Sequence, residues 1–322
     1  MLPTICLSAP WTARVRVSVL AALLFVVTSC DSRNPSTAPD IDGETVAPSG
    51  GAPSLAIAYS GGIPFGPFYL PTPKLGSDYN GTVVNAQTWL PTRTRPTNIM
   101  LAELAAIKSR GGKVVLGLAG NQQRYLDEDG HFSLTKWKAR VLEFKPIAFS
   151  SYIQDGTIIG HYVIDEPNDA SNFGGKPVPP AMLEEMAKYS KQLWPNLPTL
   201  VRVESTYLGQ WSGSYQYLDA AWAQWVSRKG DPYQYISRNV AEAKRKGLAL
   251  VVGLNLLDGH YLEPMSPSLL RSAGSALLSS SYPCAFLSWK YDAGYLSSAA
   301  VRDALKYLRS KALNRPYKSC RG

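Results

Sequence analysis

Residues 157–168 read TIIGHYVIDEPN and predict a buried strand that delivers two adjacent acids to one edge of a sheet. A short, largely apolar run bounded by turn residues is typical of a strand that is covered on both faces in a parallel sheet. Pro167 ends this strand because it has no N–H group for the ladder. Adjacent strand residues point to opposite faces, so we expect Glu166 to face the mouth of the fold and Asp165 to lean toward a neighbouring loop.

Outward from this strand, apolar runs alternate with amphipathic segments along the whole body of the chain, which is the pattern of a parallel α/β fold. Eight strands are what a closed (β/α)8 TIM-type barrel needs, and this is the predicted fold class. We predict strands at residues 55–59, 82–85, 114–118, 158–164, 200–204, 218–222, 250–255 and 285–289, and helices at 98–109, 134–143, 180–193, 232–246, 267–279 and 299–312.

The ends of several predicted helices carry their own signals. Asp231 and Ser266 precede prolines at the first helical position, which predicts N-caps. Two connections fit less well, because residues 205–217 are too few for a full helix and residues 61–80 form a long Gly/Pro-rich loop. The rival architecture, a doubly wound open sheet, places G-x-G-x-x-G after its first strand, and residues 61–66 (GGIPFG) do not match it.

The first 29 residues predict a signal peptide that is not part of the fold. Arg14 and Arg16 precede an apolar, uncharged run at residues 17–27, which is the composition of an export signal. Residues 27–30 (VTSC) resemble the lipobox of bacterial lipoproteins. This resemblance implies that Cys30 is lipidated, whereas the alternative is an ordinary secretory signal with an incidental cysteine.

Residues 31–53 are rich in Ser, Pro, Gly and Thr and lack aromatic residues. Such a segment buries too little apolar surface to fold, so we predict a flexible tether at residues 30–53 and a single barrel domain at residues 54–322. We therefore expect a location in the cell envelope, with the protein anchored by lipid to a bacterial membrane and facing the periplasm or the exterior.

Charge and cysteine content limit the classes of binding partner and indicate the redox compartment. The net charge of +9 comes from scattered basic residues that do not alternate with aromatics, so nucleic acid is not an expected partner. We expect a monomer. An oxidising compartment would allow a disulfide between Cys284 and Cys320; the alternative is two buried free thiols.

Polar residues follow most of the predicted strands, at the end where barrels of this type place their active sites. Carboxylates and amides bind hydroxyl groups in pairs, and indole rings stack on the apolar faces of sugars, so this set favours a carbohydrate ligand. The alternative is that any barrel has polar loops. The predicted binding residues are Asn85, Arg202, Trp222, Gln224, Asn255, Trp289 and Asp292, and Asn121, Gln122, Asp258 and Lys290 lie at the same end.

The acid pair followed by Pro167 resembles the glycoside hydrolase barrels of the clan A type, in which a glutamate that closes the fourth strand is the acid/base. The resemblance implies glycosidic bond cleavage with Glu166 as the proton donor. An apolar collar that includes Tyr162 and Ile164 would favour its protonated form. The alternative is that Asp165 helps to cap the following loop while Glu166 forms an ion pair with Arg202.

The chain departs from that family pattern at two positions. Asp165 occupies the place of an asparagine, and Asn255 occupies the place of the nucleophilic glutamate at the end of the seventh strand. Three candidates therefore remain for the second catalytic carboxylate: Glu204, Asp258 and Asp292. We rank Asp258 first, because a loop after strand seven faces strand four across a barrel.

The Asp-Glu pair is also similar to the β-hexosaminidases, in which the Asp orients the acetamido group of the substrate. That similarity gives Asp165 a catalytic role, although the His-x-Gly-Gly that precedes the pair in those enzymes is replaced by residues 161–164 (HYVI).

Other reaction classes lack their signatures. The chain has three histidines and no His-x-His or His-Glu-x-x-His, so we expect no metal site. It has no Gly-x-Ser-x-Gly elbow and no glycine-rich nucleotide loop, so we expect no cofactor. The remaining rivals are a carbohydrate-binding surface lipoprotein without turnover and a structural envelope protein.

Overall fold

The computed structural model describes residues 62–76 and 78–321, and every structural statement below refers to these residues. Eight parallel strands form one sheet in the order β1-β8-β7-β6-β5-β4-β3-β2. The strands are β1 Phe65–Pro67, β2 Gly81–Asn85, β3 Lys113–Gly117, β4 Ile158–Asp165, β5 Thr199–Arg202, β6 Ala220–Trp225, β7 Ala249–Leu254 and β8 Ala285–Ser288. The helices are α1 Met100–Ser109, α2 Leu134–Leu142, α3 Ser150–Gln154, α4 Pro180–Leu193, α5 Ser205–Leu208, α6 Pro232–Arg245, α7 Pro267–Leu277 and α8 Ala299–Leu313.

The two ends of this sheet meet and close the barrel. On one side β1 pairs with β8. On the other side Phe68 bridges Val83 of β2, and the N–H of Tyr69 donates to the carbonyl of Val83 at 2.8 Å. The predicted (β/α)8 fold class is confirmed. Because all strands are parallel, their carboxyl ends form a single rim, where the candidate site lies.

Inward-facing and outward-facing residues alternate along the strands, as a barrel requires. Leu200 of β5 and Trp222 of β6 lie in the cluster that fills the barrel, whereas Val201 and Ala223 pack in the larger cluster that also contains the buried helix residues. Two residues beyond each interior residue the chain reaches the rim. This alternation points Arg202 and Gln224 into the mouth.

Two strand predictions need correction, and one cannot be checked. The predicted first strand at 55–59 lies outside the described residues, and the first described strand, β1, lies within the stretch predicted as loop. β1 has only three residues, and Gly66 and Pro67 give no strand signal. Gly66 is nonetheless required, since a Cβ there would lie 2.0 Å from the carbonyl oxygen of Gly81.

The sixth strand begins at Ala220 rather than at residue 218. The carboxylate of Glu184 on α4 accepts the N–H groups of Gln216, Tyr217 and Leu218 at 2.7–3.0 Å. The N–H of Leu218, the first residue of the predicted strand, is therefore bonded to a side chain rather than to a neighbouring strand. The strand also ends at Trp225 rather than at residue 222, so Gln224 lies within it, next to its carboxyl end.

The six predicted helices are confirmed, and so are the two predicted N-caps. Asp231 accepts from the N–H of Gln234 at 2.8 Å, and Ser266 accepts from Leu269 at 3.2 Å. The short connection after β5 holds only α5, as its length predicted. No helix in the described part of the chain is both long and apolar enough to cross a membrane.

The predicted disulfide is confirmed. Cys284 and Cys320 are joined, with their Cα atoms 5.3 Å apart and 36 residues between them in sequence. Cys284 directly precedes β8, so the bond ties the C-terminal tail to the barrel wall. A cross-link over a loop of this length restricts the unfolded chain more than the folded one.

His161 is a buried histidine in the middle of β4. Its Nδ1 lies 2.8 Å from Ser190 Oγ on α4, and its ring stacks on Trp137 with centroids 5.8 Å apart. Burial lowers its pKa from 6.5 to about 3. The folded state thus holds this ring neutral over a pH range in which the unfolded chain protonates it.

This difference predicts an acid-sensitive stability. The folded pKa lies below the unfolded value, so the contribution of His161 is complete above pH 6.5 and is lost as the pH falls toward 3. The free energy of unfolding should therefore fall by about 2 kcal/mol between pH 7 and pH 5 because of this one group. Urea unfolding at both pH values measures this fall. It should be about 2 kcal/mol smaller in His161→Gln than in the wild type, because glutamine cannot titrate. An equal loss in both proteins would contradict the assignment.

Candidate active site

Arg202, the last residue of β5, contacts most of the polar side chains at this part of the rim. Only 7% of it is exposed. Its Nε donates to Asp165 Oδ1 and to Tyr162 Oη at 3.3 Å, and its Nη1 donates to Gln224 Oε1. Its Nη2 lies 3.5 Å from Glu166 Oε1. One guanidinium thus joins the ends of β4, β5 and β6.

The surroundings keep this buried cation charged. Burial alone disfavours the charge, but the neighbouring carboxylates of Asp165 and Glu166 favour it, and the pKa of Arg202 is raised above its ordinary value. Burial, followed by the negative charge of Asp165, raises the pKa of Tyr162 well above its ordinary value. The phenol therefore stays neutral, and its oxygen can accept from Arg202.

The two acids at the end of β4 do not diverge as predicted. The pairing of β4 with β5 shifts register between Tyr162 and Asp165, and Glu166 adopts a left-handed backbone with φ 38°. Strand alternation therefore breaks at this point, and both carboxylates turn toward Arg202. A left-handed residue other than glycine costs about 1–3 kcal/mol, and such strain is common at functional sites.

The expected apolar collar around Glu166 is also not found. The side chain of Glu166 is 48% exposed, against 28% for Asp165, and Tyr162 bonds to Arg202 instead. The ion pair between Glu166 and Arg202, held open as the alternative, is present at 3.5 Å. Asp165 does not cap the next loop, because Asp169 provides that cap by accepting from the N–H of Ser171.

Two pockets open side by side at the rim. The first, which we call the aromatic pocket, has a volume of about 270 Å³ and the second, the charged pocket, about 380 Å³. The aromatic pocket is lined by Tyr69, Tyr125, Tyr162, Trp289, Asn85, Asn121, Gln122 and Asp165, among others. The charged pocket is lined by Glu166, Asn168, Asp169, Arg202, Glu204, Trp222, Gln224, Arg228 and Lys229, with Ala170 and Val203.

Asp165 thus lies in one pocket and Glu166 in the other, while Arg202 binds both. This arrangement places a positive charge between two acids that face adjacent spaces. A ligand that extends over both pockets would meet aromatic rings and amides on one side and paired charges on the other.

Two further acids share the charged pocket with Glu166: Asp169, whose Oδ1 already accepts from the N–H and the hydroxyl of Ser171, and Glu204. Glu204 follows β5, and its carboxylate lies 2.8 Å from Lys229 Nζ and 3.9 Å from Arg238 Nη2. Asp258, ranked first from the sequence, is exposed in the turn after β7 and donates its N–H to Asn255 Oδ1 at 3.1 Å. Asp258 lines neither pocket, so Glu204 is the better placed of the two candidates.

The other predicted binding residues divide into two groups. Asn85 and Trp289 line the aromatic pocket, and Arg202 and Gln224 line the charged pocket. The side chains of Asn255 and Asp292 instead hold turns, Asp292 by accepting from the N–H of Tyr295 at 2.7 Å, and neither residue lines these pockets.

Trp222 borders the charged pocket from below, but none of its surface is exposed. Its Nε1 donates to the carbonyl of Leu287 at 3.3 Å, and its ring packs on Phe68 with centroids 4.6 Å apart. The ring therefore has no exposed face on which a sugar could stack, contrary to the prediction. It forms the buried bottom of the charged pocket.

Sequence reasoning missed several lining residues. Tyr69 follows β1, which gave no strand signal, so its place at a strand end was hidden. Tyr125, Asn168 and Asp169 lie in turns after β3 and β4, and Arg228 and Lys229 lie in the turn after β6. The shifted end of β6 would have indicated the last two had it been predicted correctly.

One acidic group lies elsewhere. Ligand atoms of Asp127, Asp129 and His131 lie within 4.8 Å of one another in an exposed loop. Asp127 Oδ1 already accepts the N–H groups of the other two residues. None of the three lines either pocket, so this group has no part in the site.

Comparison with known proteins supports the fold. No protein-family model matches the chain, and no curated protein matches it. A solved structure of a "putative alpha-L-fucosidase" from Bacteroides thetaiotaomicron VPI-5482 is 12% identical, covers 80% of this chain and 98% of that chain, and has a TM-score of 0.54. ScGas2 in complex with a compound is 13% identical, with 80% of this chain and 65% of that chain covered and a TM-score of 0.50. At these identities the similarity shows the barrel fold alone.

The Arg202 network predicts a strong effect on stability. Arg202→Met should leave Asp165 without its buried partner and lower the free energy of unfolding by about 3–5 kcal/mol. Arg228→Met, at an exposed position of the same pocket, is the matched control and should change it by less than about 0.5 kcal/mol. Urea unfolding measures both variants. Equal stability of the two would show that the network does not hold the rim together.

Proposed function

We propose that this protein is a glycoside hydrolase that cleaves a poly- or oligosaccharide, with Glu166 as the proton donor and Glu204 as the second carboxylate. The observation that carries the proposal is that these two acids line one 380 Å³ pocket at the rim of a (β/α)8 barrel. The neighbouring pocket combines Trp289, tyrosines, amides and a carboxylate, a composition suited to sugar rings. The similar barrel that carries a fucosidase description is in keeping with this chemistry.

The contacts of Arg202 assign different parts to the two acids of β4. Asp165 is held by Nε of Arg202 in a charge-assisted hydrogen bond, whereas the contact of Glu166 at 3.5 Å is the longest that Arg202 makes with a carboxylate. Glu166 is also the more exposed acid. A bound sugar can therefore displace Glu166 from Arg202 more easily than it can displace Asp165.

The proposed reaction uses Glu166 and Glu204. Protonated Glu166 gives its proton to the glycosidic oxygen as the bond to the anomeric carbon breaks. In a retaining reaction Glu204 attacks the anomeric carbon, and a water that gives its proton to Glu166 then hydrolyses the glycosyl ester and frees Glu204. In an inverting reaction Glu204 removes a proton from the water that attacks the anomeric carbon. Carboxyl groups about 5–5.5 Å apart give retention and those about 6.5–9.5 Å apart give inversion, so the anomer formed first identifies the role of Glu204.

Gln224 supports a ligand in the same place. It is 7% exposed, and its Nε2 has no hydrogen-bond partner among the described residues. An unpaired buried donor costs about 1–3 kcal/mol. A sugar hydroxyl in the charged pocket would offer that donor an acceptor.

A second candidate is a carbohydrate-binding protein without turnover. Glu166 pairs with Arg202, and Glu204 pairs with Lys229 at 2.8 Å, so both acids already have partners. Asn255 also stands where a nucleophilic glutamate would be expected. In this case the pockets would bind a glycan and leave it intact.

Substitution of the acids distinguishes the two candidates. Reducing-end release is measured on carboxymethyl cellulose, galactomannan, laminarin, chitosan and polygalacturonate. Glu166→Gln should lower kcat by about 100-fold to 10,000-fold, and Glu204→Gln should also lower it strongly, with glycan binding kept. Glu185→Gln on the outer face of α4 is the matched control and should be unchanged.

Absence of release from every glycan, together with retained binding, favours the binder. If Glu166→Gln has the activity of the wild type, the proton-donor assignment is wrong. Asp258→Asn tests the ranking made from the sequence, since an effect larger than that of Glu204→Gln would restore Asp258 as the second carboxylate.

We also propose that the barrel is tethered to a membrane of the cell envelope through a lipid on Cys30. The support is the sequence of residues 1–53, all of which lie outside the described residues. A labelled fatty acid fed to the cells should be incorporated into the wild type and not into Cys30→Ser. Equal incorporation into this variant would contradict lipid anchoring at that residue.

A further inference from the structure

The connection between β7 and α7 contains a tight turn with two large apolar side chains at its tip. His260 and Glu263 exchange backbone hydrogen bonds of 3.0 and 2.9 Å, so Tyr261 and Leu262 are the two central residues. Tyr261 is 70% exposed and Leu262 is 74% exposed, more than any other large hydrophobic residue that the structure describes. Two adjacent exposed apolar side chains form a small contiguous patch, and contiguous apolar patches are the surface feature that marks contact sites.

The backbone makes this choice of residues more unusual. The φ angles of Tyr261 and Leu262 are 50° and 73°, so both lie in the left-handed region. Two-residue turns of this kind strongly prefer Asn-Gly, because those residues enter the region with little strain, whereas a bulky residue there is an outlier. A chain that only had to reverse direction would be better served by Asn-Gly. The side chains themselves therefore require an explanation.

Hydrogen bonds fix this turn to the edge of the charged pocket. The N–H of Ser227 donates to the carbonyl of Gly259 at 2.7 Å, and Ser227 Oγ lies 3.2 Å from His260 Nδ1. Ser227 is followed directly by Arg228 and Lys229, which line the pocket together with the two candidate acids. The ring of His260 in turn contacts that of Tyr261 edge to face, with centroids 5.1 Å apart.

We propose that Tyr261 and Leu262 form an outer platform for a glycan chain that runs out of the charged pocket, so that the substrate is a polymer. This inference rests on the proposed carbohydrate specificity of the site. A pocket of 380 Å³ is near the lower end of the range for small-molecule sites, so a glycan of several sugar units would extend beyond it over the rim, where this turn lies. An exposed tyrosine ring beside that rim offers a flat apolar surface on which a further sugar ring can stack.

The decisive variant replaces the tip by the residues that the turn prefers. Tyr261→Asn with Leu262→Gly relieves both left-handed outliers, so its Tm should equal or exceed that of the wild type. Loss of binding in this variant cannot then come from unfolding. Leu142→Ala is the control for loss of an exposed apolar side chain, because Leu142 is 44% exposed and ends α2, a helix whose C-terminus lies at the opposite end of the barrel.

Binding is measured by retardation in native gels that contain each of the five polysaccharides, with the full chain carrying Glu166→Gln so that no glycan is consumed. The platform variant should bind the retarding polysaccharide about tenfold more weakly, and Leu142→Ala should bind as before. In the active background, the rate on p-nitrophenyl glycosides, which are too short to reach the tip, should stay within about twofold of the wild type.

Three results would overturn the inference. They are equal retardation of the platform variant and its parent, no retardation of the parent by any of the polysaccharides, and an effect of the variant only on binding to vesicles. The vesicles contain phosphatidylethanolamine and phosphatidylglycerol at 3:1, and all proteins in this assay carry Cys30→Ser. An effect on vesicle binding alone would identify a membrane contact instead of a glycan platform. Retardation that depends on Tyr261 in a protein without turnover would keep the platform and refute only the proposed hydrolysis.

Discussion

The burial of one guanidinium constrains the whole rim of this barrel. Arg202 is charged and almost fully enclosed, and a buried charge is tolerated only when its donors are paired. Its partners come from three neighbouring strand ends, which fixes the relative positions of β4, β5 and β6. Aromatic rings complete the enclosure, with the guanidinium carbon 5.3 Å from the centroid of Trp289 and 5.9 Å from that of Phe68. The positions of both candidate acids follow from this centre.

The same constraint explains how two adjacent acids can serve different purposes. A regular strand would have sent Asp165 and Glu166 to opposite faces. The register shift in β4 and the left-handed backbone of Glu166 bring both to Arg202, where the first is tightly bound and the second is loosely held and exposed. Asp165 thus offers a fixed negative charge in the aromatic pocket. Glu166 is exposed in the charged pocket and only loosely held, as the proposed role of proton donor requires.

The sequence was sufficient for the architecture because strand and helix periodicity, proline positions and cap residues are local signals. It located the rim for the same reason, since parallel strands gather their carboxyl ends. It failed where a distant side chain changed a local outcome, as Glu184 does at the start of β6, and where a strand is as short as β1. It also misjudged Asp258, because whether an acid in a loop enters a pocket depends on the path of the loop. The role of Trp222 was misjudged because the position of a residue in a strand indicates which face its side chain points to, but not how deeply the side chain is buried.

The distribution of backbone strain gives an independent argument for the location of the function. Four residues other than glycine adopt positive φ in the described part of the chain: Tyr69, Glu166, Tyr261 and Leu262. All four follow the carboxyl ends of strands, namely β1, β4 and β7, and none follows a helix. In this fold the opposite end serves stability, whereas the carboxyl ends carry function. Strain is retained only where the surrounding structure enforces it, and here it is confined to the aromatic pocket, the charged pocket and the turn beside them. This agreement does not depend on which acid donates the proton, so the carboxyl end would remain the functional end of this barrel even if its role were binding alone.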